Sequence, residues 1–485
     1  MSTVILGAGP AGLTAAYELG KAGRTCTVVE SDPAYVGGIS RTVQWRGNRF
    51  DIGGHRFFSK NGEIEALWRE ILPEDVLEVP RLSRIYYEGK FYDYPLKPRN
   101  ALRNLGLGRS FLCGMSYLYR RMRPIRPEVS FKDWVTNRFG DRLFATFFET
   151  YTEKVWGMRC DEISADWAAQ RIKGLSLMKA ALAMFKPSGD SIKTLIDRFR
   201  YPRLGPGQMW ETCTERVRGM GSTVDMDRRV VRIERGEGAE RVICRDGDGA
   251  EHVYPCREVI SSMPLRELVE AMDPAPPDAV LAAARSLRYR DYLLVAVHVN
   301  RKDCFPDNWI YIHDPGVKMG RIQNFRNWSE AMVADPETSV LGLEYFCFEG
   351  DELWDADDAD LIARGKRELA QLGLVDAAEI GDGTVVRMPK AYPIYDDGYR
   401  DAVATIRDWL RAEVPNVAPA GRNGMHKYNN QDHSMMAALL SARNLLGTDD
   451  RDPWKVNTDA EYHEEASAAD DQAGRAVPSA IRTTT

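Results

Sequence analysis

An α/β architecture is predicted for this chain: a Rossmann-like dinucleotide-binding domain with an inserted helical domain and an antiparallel β-sheet substrate domain. Three stretches predict it. The chain opens with an apolar run, a glycine-rich turn, an apolar-periodic segment and a second β-type run, the order of a βαβ unit. Residues 100 to 200 then carry apolar side chains at three- and four-residue spacing, with prolines only between segments, a helical period. Residues 285 to 400 alternate short β runs with one helix-like segment near Asp358 to Leu372.

The opening unit is the most specific. It reads Val4-Ile5-Leu6-Gly7-Ala8-Gly9-Pro10-Ala11-Gly12, runs on to Leu19, and reaches Cys26-Thr27-Val28-Val29-Glu30. Gly7 allows a tight turn off the strand, Gly9 lets the backbone approach a pyrophosphate, and Gly12 permits close helix–sheet packing. The helix N-terminus adds N–H groups and the positive end of a dipole. Glu30 stands where an acid receives ribose hydroxyls. Beyond it, Gly37-Gly38 followed by Arg41 can bring backbone and a guanidinium against a diphosphate, and Gly53-Gly54-His55 supplies a second glycine pair. These additions favour FAD as a resident cofactor, with NAD as the alternative.

The elements follow in order. Residues 1–80 hold the first part of the FAD-binding domain, including short strands at Thr42 to Trp45 and Arg49 to Ile52. Residues 81–99 form a hairpin, turned at Glu88-Gly89, that joins the sheet domain. The helical domain covers 100–200, and 201–284 returns to the FAD-binding domain with a helix from Gln208 to about Arg218. The substrate sheet occupies 285–400 through Tyr292 to Val299, Trp309 to His313, Val340 to Phe346 and Gly383 to Met388. Residues 401–447 close the FAD-binding domain with a helix from about Ser434 to Leu446, and 448–485 read as a polar, loosely held tail.

Composition narrows the classes. At 485 residues the chain is long enough for two or three domains. Its 65 basic and 71 acidic residues give a net charge of −6, so nothing global points to nucleic acid or an anionic membrane. The basic stretch Arg120 to Arg126 reads first as a solvated helix end, with a membrane or partner contact as the other reading. No run of about eighteen apolar residues appears, and the cytoplasm is the expected location. Eight cysteines are scattered without a CxxC pair, which argues against a disulfide framework and a zinc site. Hydrolytic signatures such as GxSxG and HExxH are missing, leaving the flavin as the strongest chemical instrument.

Around it the sequence offers aromatic and cationic motifs: Thr150 to Gly157, Trp167 to Arg171, Gly320 to Phe325, Ala391 to Pro393 and His426 to His433. Aromatic faces can stack a base and arginine forks can grip phosphate. Each alone has a plainer reading: Tyr151 and Trp156 as core, Arg171 as a surface ion-pair partner, His55 as a satisfied structural histidine.

Taken in order, Gly7 to Gly12, Gly53 to Ser59, Tyr151 to Gly157, Arg171, Arg321, Tyr392 and Gly421-Arg422 to His433 resemble the UDP-galactopyranose mutase family, within the wider amine oxidase and protoporphyrinogen oxidase superfamily. The similarity runs from residue 3 to about 447. It implies a flavin-dependent isomerase that interconverts pyranose and furanose forms of a nucleotide hexose, reduced flavin N5 acting as nucleophile at the anomeric carbon with no net redox change. NAD(P)H is a candidate reductant.

The resemblance assigns Tyr151 and Trp156 to the base, Arg171 and Arg321 to the substrate diphosphate, and Tyr392 and Tyr428 to the diphosphate and sugar. His55 falls at the flavin, Arg422 among the residues that hold FAD, and Asn430, Asp432 and His433 beside them. Implied partners are a nucleotide diphosphate sugar, without nucleic acid or membrane, and a homodimer is one assembly open to the chain. Arg56 and the loop Gly205 to Trp210 depart from the family pattern, which leaves the sugar and nucleotide open. A redox flavoenzyme of the amine oxidase or protoporphyrinogen oxidase type is the alternative activity, and a non-catalytic flavin-bearing partner protein a third reading.

Overall fold

The computed structural model describes residues 2–94, 96–165, 198–396 and 398–457. Its organising element is a five-stranded parallel sheet in the order Val417–Pro419, Glu258–Ser261, Thr3–Leu6, Cys26–Val29, Thr223–Asp225. These strands are short and apolar on both faces, as a sheet covered on both sides requires. Ile5 and Val28 face helices Pro10–Lys21, Gly207–Gly219 and Gln431–Leu446. Val4, Leu6 and Val29 face the opposite side, where helices Leu265–Glu270, Asp278–Ser286 and Tyr399–Glu413 cover them.

The second large sheet has seven strands in the order Ile380–Pro393, Tyr289–Val299, Ser339–Cys347, Arg321–Asn324, Trp309–Ile312, Ser83–Tyr87, Lys90–Asp93. It is antiparallel except where Trp309–Ile312 runs parallel to Ser83–Tyr87. That parallel pair docks the Ser83 hairpin onto the sheet. The hairpin turns at Glu88 (φ 48°) and Gly89 (φ 72°), the two left-handed positions a tight two-residue turn needs.

Five readings of the sequence change. The helical stretch stops short of residue 200: Arg198–Pro202 is a strand, paired antiparallel with Val76–Pro80. The 201–284 segment is more than a return to the parallel sheet, since it also builds a separate sheet ordered Glu251–Pro255, Ala239–Arg245, Arg229–Arg235, Met272–Asp273. Arg321–Asn324, read only as a motif, is a strand, and Tyr399–Glu413 is a further helix. The tail is held beyond Thr448 as far as Asn457, where Lys427 Nζ donates to the carbonyls of Trp454 and Val456 at 2.7 Å each.

The helical insert runs through Pro98–Met122, Phe131–Phe139, Asp141–Phe144, a π-helical turn over Ala145–Glu149, and Thr150–Trp156. Ser130 and Asp133 form a reciprocal capping box that starts the second of these. All eight cysteines are buried and unbridged, and no group of His, Cys, Asp and Glu among the described residues is arranged to hold a metal.

Candidate active site

A cavity of about 580 Å³ runs from the Gly7–Gly12 turn to the seven-stranded sheet. At its glycine-rich end the glycines are dictated by contact. A Cβ on Gly12 would sit 1.8 Å from the Gly7 carbonyl oxygen, and one on Gly7, whose φ is +97°, would meet Ser262 Oγ at 2.4 Å. Gly9 is different: a Cβ there would have only Gly38 near it, at 3.9 Å, so its smallness keeps the cleft open instead of relieving a clash. Helix Pro10–Lys21 begins here with proline in its first turn and no side-chain cap, leaving early N–H groups directed at the cavity.

Glu30 lines the same end. Its carboxylate accepts the N–H of Ala8 at 2.7 Å and that of Asp32 at 2.9 Å, which locks the turn while keeping the acid at the cavity wall. Gly37 donates its N–H to the Ala8 carbonyl at 2.8 Å, docking the second glycine pair on the first, and Gly38 reaches the cavity. Arg41 is engaged elsewhere: Nη1 pairs with Asp32 at 2.6 Å and the guanidinium lies over Tyr35. Its cation is already matched, so it steadies the loop that carries Gly38.

In the middle of the cavity lie Gly54, His55, Arg422, Tyr428, Asn430 and Asp432. His55 Nε2 is 2.8 Å from the Ile52 carbonyl; a carbonyl only accepts, so this nitrogen carries the proton. Burial, then the Arg422 and Arg321 cations, push the imidazole down to about 4, and it is neutral at physiological pH. Arg422 donates to the carbonyls of Asn429 (2.8 Å) and Ala391 (3.1 Å) and lies over Tyr428 and Tyr392. Those two rings stack at 5.5 Å and 18°. Burial raises Tyr392 to about 12, so its hydroxyl stays a donor.

Helix Gln431–Leu446 opens onto this region. Asn430 is its N-cap, and His433 Nδ1 accepts the Asn430 N–H at 3.2 Å. His433 therefore caps a helix and does not line the cavity, while Asp432, buried, does.

At the sheet end Arg321 reaches the cavity beside Gln323, Tyr311, Trp309 and Tyr94. Its Nε donates to Glu344 at 2.6 Å, with Nη2 at 2.5 Å from the same oxygen, and Gln323 Nε2 takes the other carboxylate oxygen at 2.7 Å. Burial works against the guanidinium charge, but Glu344 overrides it and Arg321 stays charged. Glu344 is fully buried.

Tyr151 and Trp156 stand behind this wall. Tyr151 stacks on His313 at 4.8 Å and 9° and meets Tyr311 edge-on at 5.5 Å, so it touches the cavity through Tyr311. Trp156 packs against Tyr392 and Tyr428 at 6.4 and 6.3 Å. Arg171 lies outside the described residues.

The sequence reading missed the residues that hold this arrangement. Glu344 is one; an acid inside the apolar run Val340-Leu341-Gly342-Leu343-Glu344-Tyr345-Phe346 was the available signal. Arg290 is another: buried, it donates to the carbonyls of Val155 (3.1 Å), Lys154 (3.3 Å) and Phe346 (2.7 Å), fastening helix Thr150–Trp156 to the sheet. Lys154, from the quoted motif, donates to the carbonyls of Ile312, Asp314 and Met319 at 3.2, 2.5 and 3.2 Å.

The donor set suits a flavin dinucleotide. Besides the glycine turn and Glu30, the cavity wall carries Gln431, whose buried amide N and O have no partner, and Asn423, whose buried Oδ1 has none. Such orphaned groups cost stability unless a ligand meets them. A model of the flavin containing amine oxidoreductase family matches residues 10–443. The chain belongs to this family. It is a flavin-dependent enzyme of the amine oxidase superfamily.

Solved structures of the same fold include a reduced UDP-galactopyranose mutase, with a TM-score of 0.82 and 22% identity, covering 94% of this chain and 97% of that one. A putative protoporphyrinogen oxidase from Exiguobacterium sp. 255-15 matches with a TM-score of 0.68 and 18% identity over 92% and 99% of the two chains. Putrescine oxidase bound to putrescine matches at 0.60 and 16%, again over 92% and 99%. No curated protein matches by sequence.

Proposed function

We propose that this flavoenzyme is a nucleotide-sugar mutase, interconverting pyranose and furanose forms of a nucleotide hexose without net oxidation. The observation that carries the reading is Arg321 held at the cavity wall by Glu344. Glu344 occupies Nε and Nη2, so the Nη1 hydrogens stay available to a diphosphate oxygen. An apolar substrate would give that guanidinium nothing to bind. When bound, reduced flavin supplies an electron-rich nucleophile for the anomeric carbon, and NAD(P)H is the proposed reductant.

The chain's own residues would do the rest. Arg321 stabilises the charge that grows on a departing diphosphate, an interaction stronger in the transition state than before it. His55, neutral, and the Tyr428 hydroxyl would orient the sugar by hydrogen bonds without adding charge, with Tyr392 stacked on Tyr428 to hold its ring in place. Gly7, Gly9 and Glu30 would seat the cofactor's pyrophosphate and ribose, with Gly38 and Gln431 further along the wall.

The alternative is substrate oxidation of the amine oxidase or protoporphyrinogen oxidase type. Membership of the flavin containing amine oxidoreductase family supports that reading. Reducing the enzyme with dithionite, supplying UDP-galactopyranose and other nucleotide hexoses, and separating products by chromatography tests the two. Furanose product supports the proposal; oxygen-consuming turnover of an amine or tetrapyrrole with no nucleotide-sugar conversion overturns it.

A further inference from the structure

The longest helix of the insert, Pro98–Met122, is broken at Gly106, whose φ is +78°. Its second part, from Leu107 to Met122, spans about 24 Å at 1.5 Å per residue. Leu107, Phe111, Met115, Leu118 and Met122 fall within an arc of about 80° at 100° per residue, and all five are exposed, Leu107 at 87%, Phe111 at 68% and Met122 at 77%. The opposite side faces the protein. There Cys113 is buried, Arg109 pairs with Glu88 and Arg120 with Asp141. The apolar stripe thus points straight outward, flanked by exposed Leu112 and Tyr119. Monomeric proteins seldom leave so contiguous an apolar surface uncovered.

Charge indicates what covers it. Between Asp93 and Glu128 the chain has eight basic residues and no acidic one, although the whole protein carries −6. Three of the eight are matched, through Asp93, Glu88 and Asp141. Arg99, Arg103, Arg121, Arg123 and Arg126 have no carboxylate partner among the described residues. Arg121, Arg123 and Arg126 lie at and just past the helix end, where the exposed stripe finishes at Met122. A second copy meeting this face across a twofold axis would set these guanidinium groups against themselves. An anionic lipid surface instead accepts the apolar stripe among its acyl chains and the arginines at its headgroups.

We propose that the Leu107–Met122 face docks this protein on anionic lipid bilayers as a peripheral, in-plane amphipathic helix. No helix among the described residues is long and apolar enough to cross a membrane, and this mode does not need one. The expectation of no membrane partner drew on net charge and on the lack of a long apolar run, neither of which registers a local in-plane surface.

The test is sedimentation of the intact flavin-loaded protein with vesicles of phosphatidylglycerol mixed with phosphatidylcholine, and with phosphatidylcholine alone, followed by flavin colour. Light scattering gives the oligomeric state in parallel. The wild type is expected to pellet with the anionic vesicles only and to be released by high salt. Phe111→Glu combined with Leu118→Glu is expected to lower the bound fraction at least tenfold, with flavin spectrum and melting temperature unchanged. A triple Arg121→Gln, Arg123→Gln, Arg126→Gln variant weakens binding to anionic vesicles in the same direction. Three results overturn the proposal: no pelleting by the wild type, pelleting that the Phe111/Leu118 variant retains, or a vesicle-indifferent dimer that this variant splits, which would assign the face to a second copy.

Discussion

Arg321 and Glu344 are partners in register on adjacent antiparallel strands, and their side chains close to 2.5 Å on a carboxylate with no solvent exposure. Cross-strand neighbours are the unit of contact in a sheet, so the strand pairing itself aims the guanidinium. The place of Arg321 on the cavity wall is therefore set by backbone register and held by a buried acid.

Removing that acid tests the arrangement. Glu344→Gln leaves a guanidinium without its counter-charge in a largely buried place, and a stability loss of about 3 kcal/mol is expected from breaking such a pair, read by urea denaturation. The same variant should bind UDP more tightly, seen as quenching of tryptophan fluorescence, because Arg321 no longer shares its charge.

Arg321→Lys keeps a cation but loses the fork that grips Glu344 and a phosphate together. The proposed mutase activity should fall about 100-fold, in line with loss of one transition-state charge donor, while bound flavin is retained. Loss of flavin colour in this variant would instead move Arg321 from substrate to cofactor.

Two glycines of one turn should behave differently. Gly12→Ala drives a methyl to 1.8 Å from a backbone oxygen, which cannot step aside, and insoluble protein is expected. Gly9→Ala meets nothing closer than 3.9 Å. It should fold normally but bind flavin at least tenfold more weakly, since the added methyl occupies the space between the Gly9 and Gly38 backbones. Far-ultraviolet circular dichroism and flavin absorbance separate the two outcomes.

Buried histidines set the acid limit. Burial lowers His313 to about 3, aided by the Lys154 cation, and His426 to about 4. As pH falls below the ordinary 6.5, the unfolded chain takes up protons that the folded one refuses. Stability is thus full above about 6.5 and lost toward pH 4, at about 1.4 kcal/mol per pH unit for each group. His426→Gln should flatten the acid slope of the urea midpoint.

Asp51 sets an opposite limit: burial raises it to about 7, against the lowering effect of its bonds from Tyr201 and Thr42. Its contribution is full below the ordinary carboxylate range and lost as pH rises through 7. Asp51→Asn should therefore be least damaging, relative to wild type, above that pH.

The sequence by itself determined the local chemistry. Gly7, Gly9, Gly12 and Glu30 could be read directly because a βαβ turn is built from neighbours in the chain, and the hairpin at Glu88-Gly89 for the same reason. The substrate side was legible only as residue types. Whether Tyr151 faces a ligand or His313, whether Arg41 is free or matched by Asp32, and which acid confronts Arg321 depend on strand register and on contacts between segments remote in sequence. Likewise, Arg120 to Arg126 read as a solvated helix end until the fold turned Arg120 inward to Asp141 and the Leu107–Met122 stripe outward. Side-chain partners in a packed interior are chosen by three-dimensional neighbours, and only the tertiary structure supplies those.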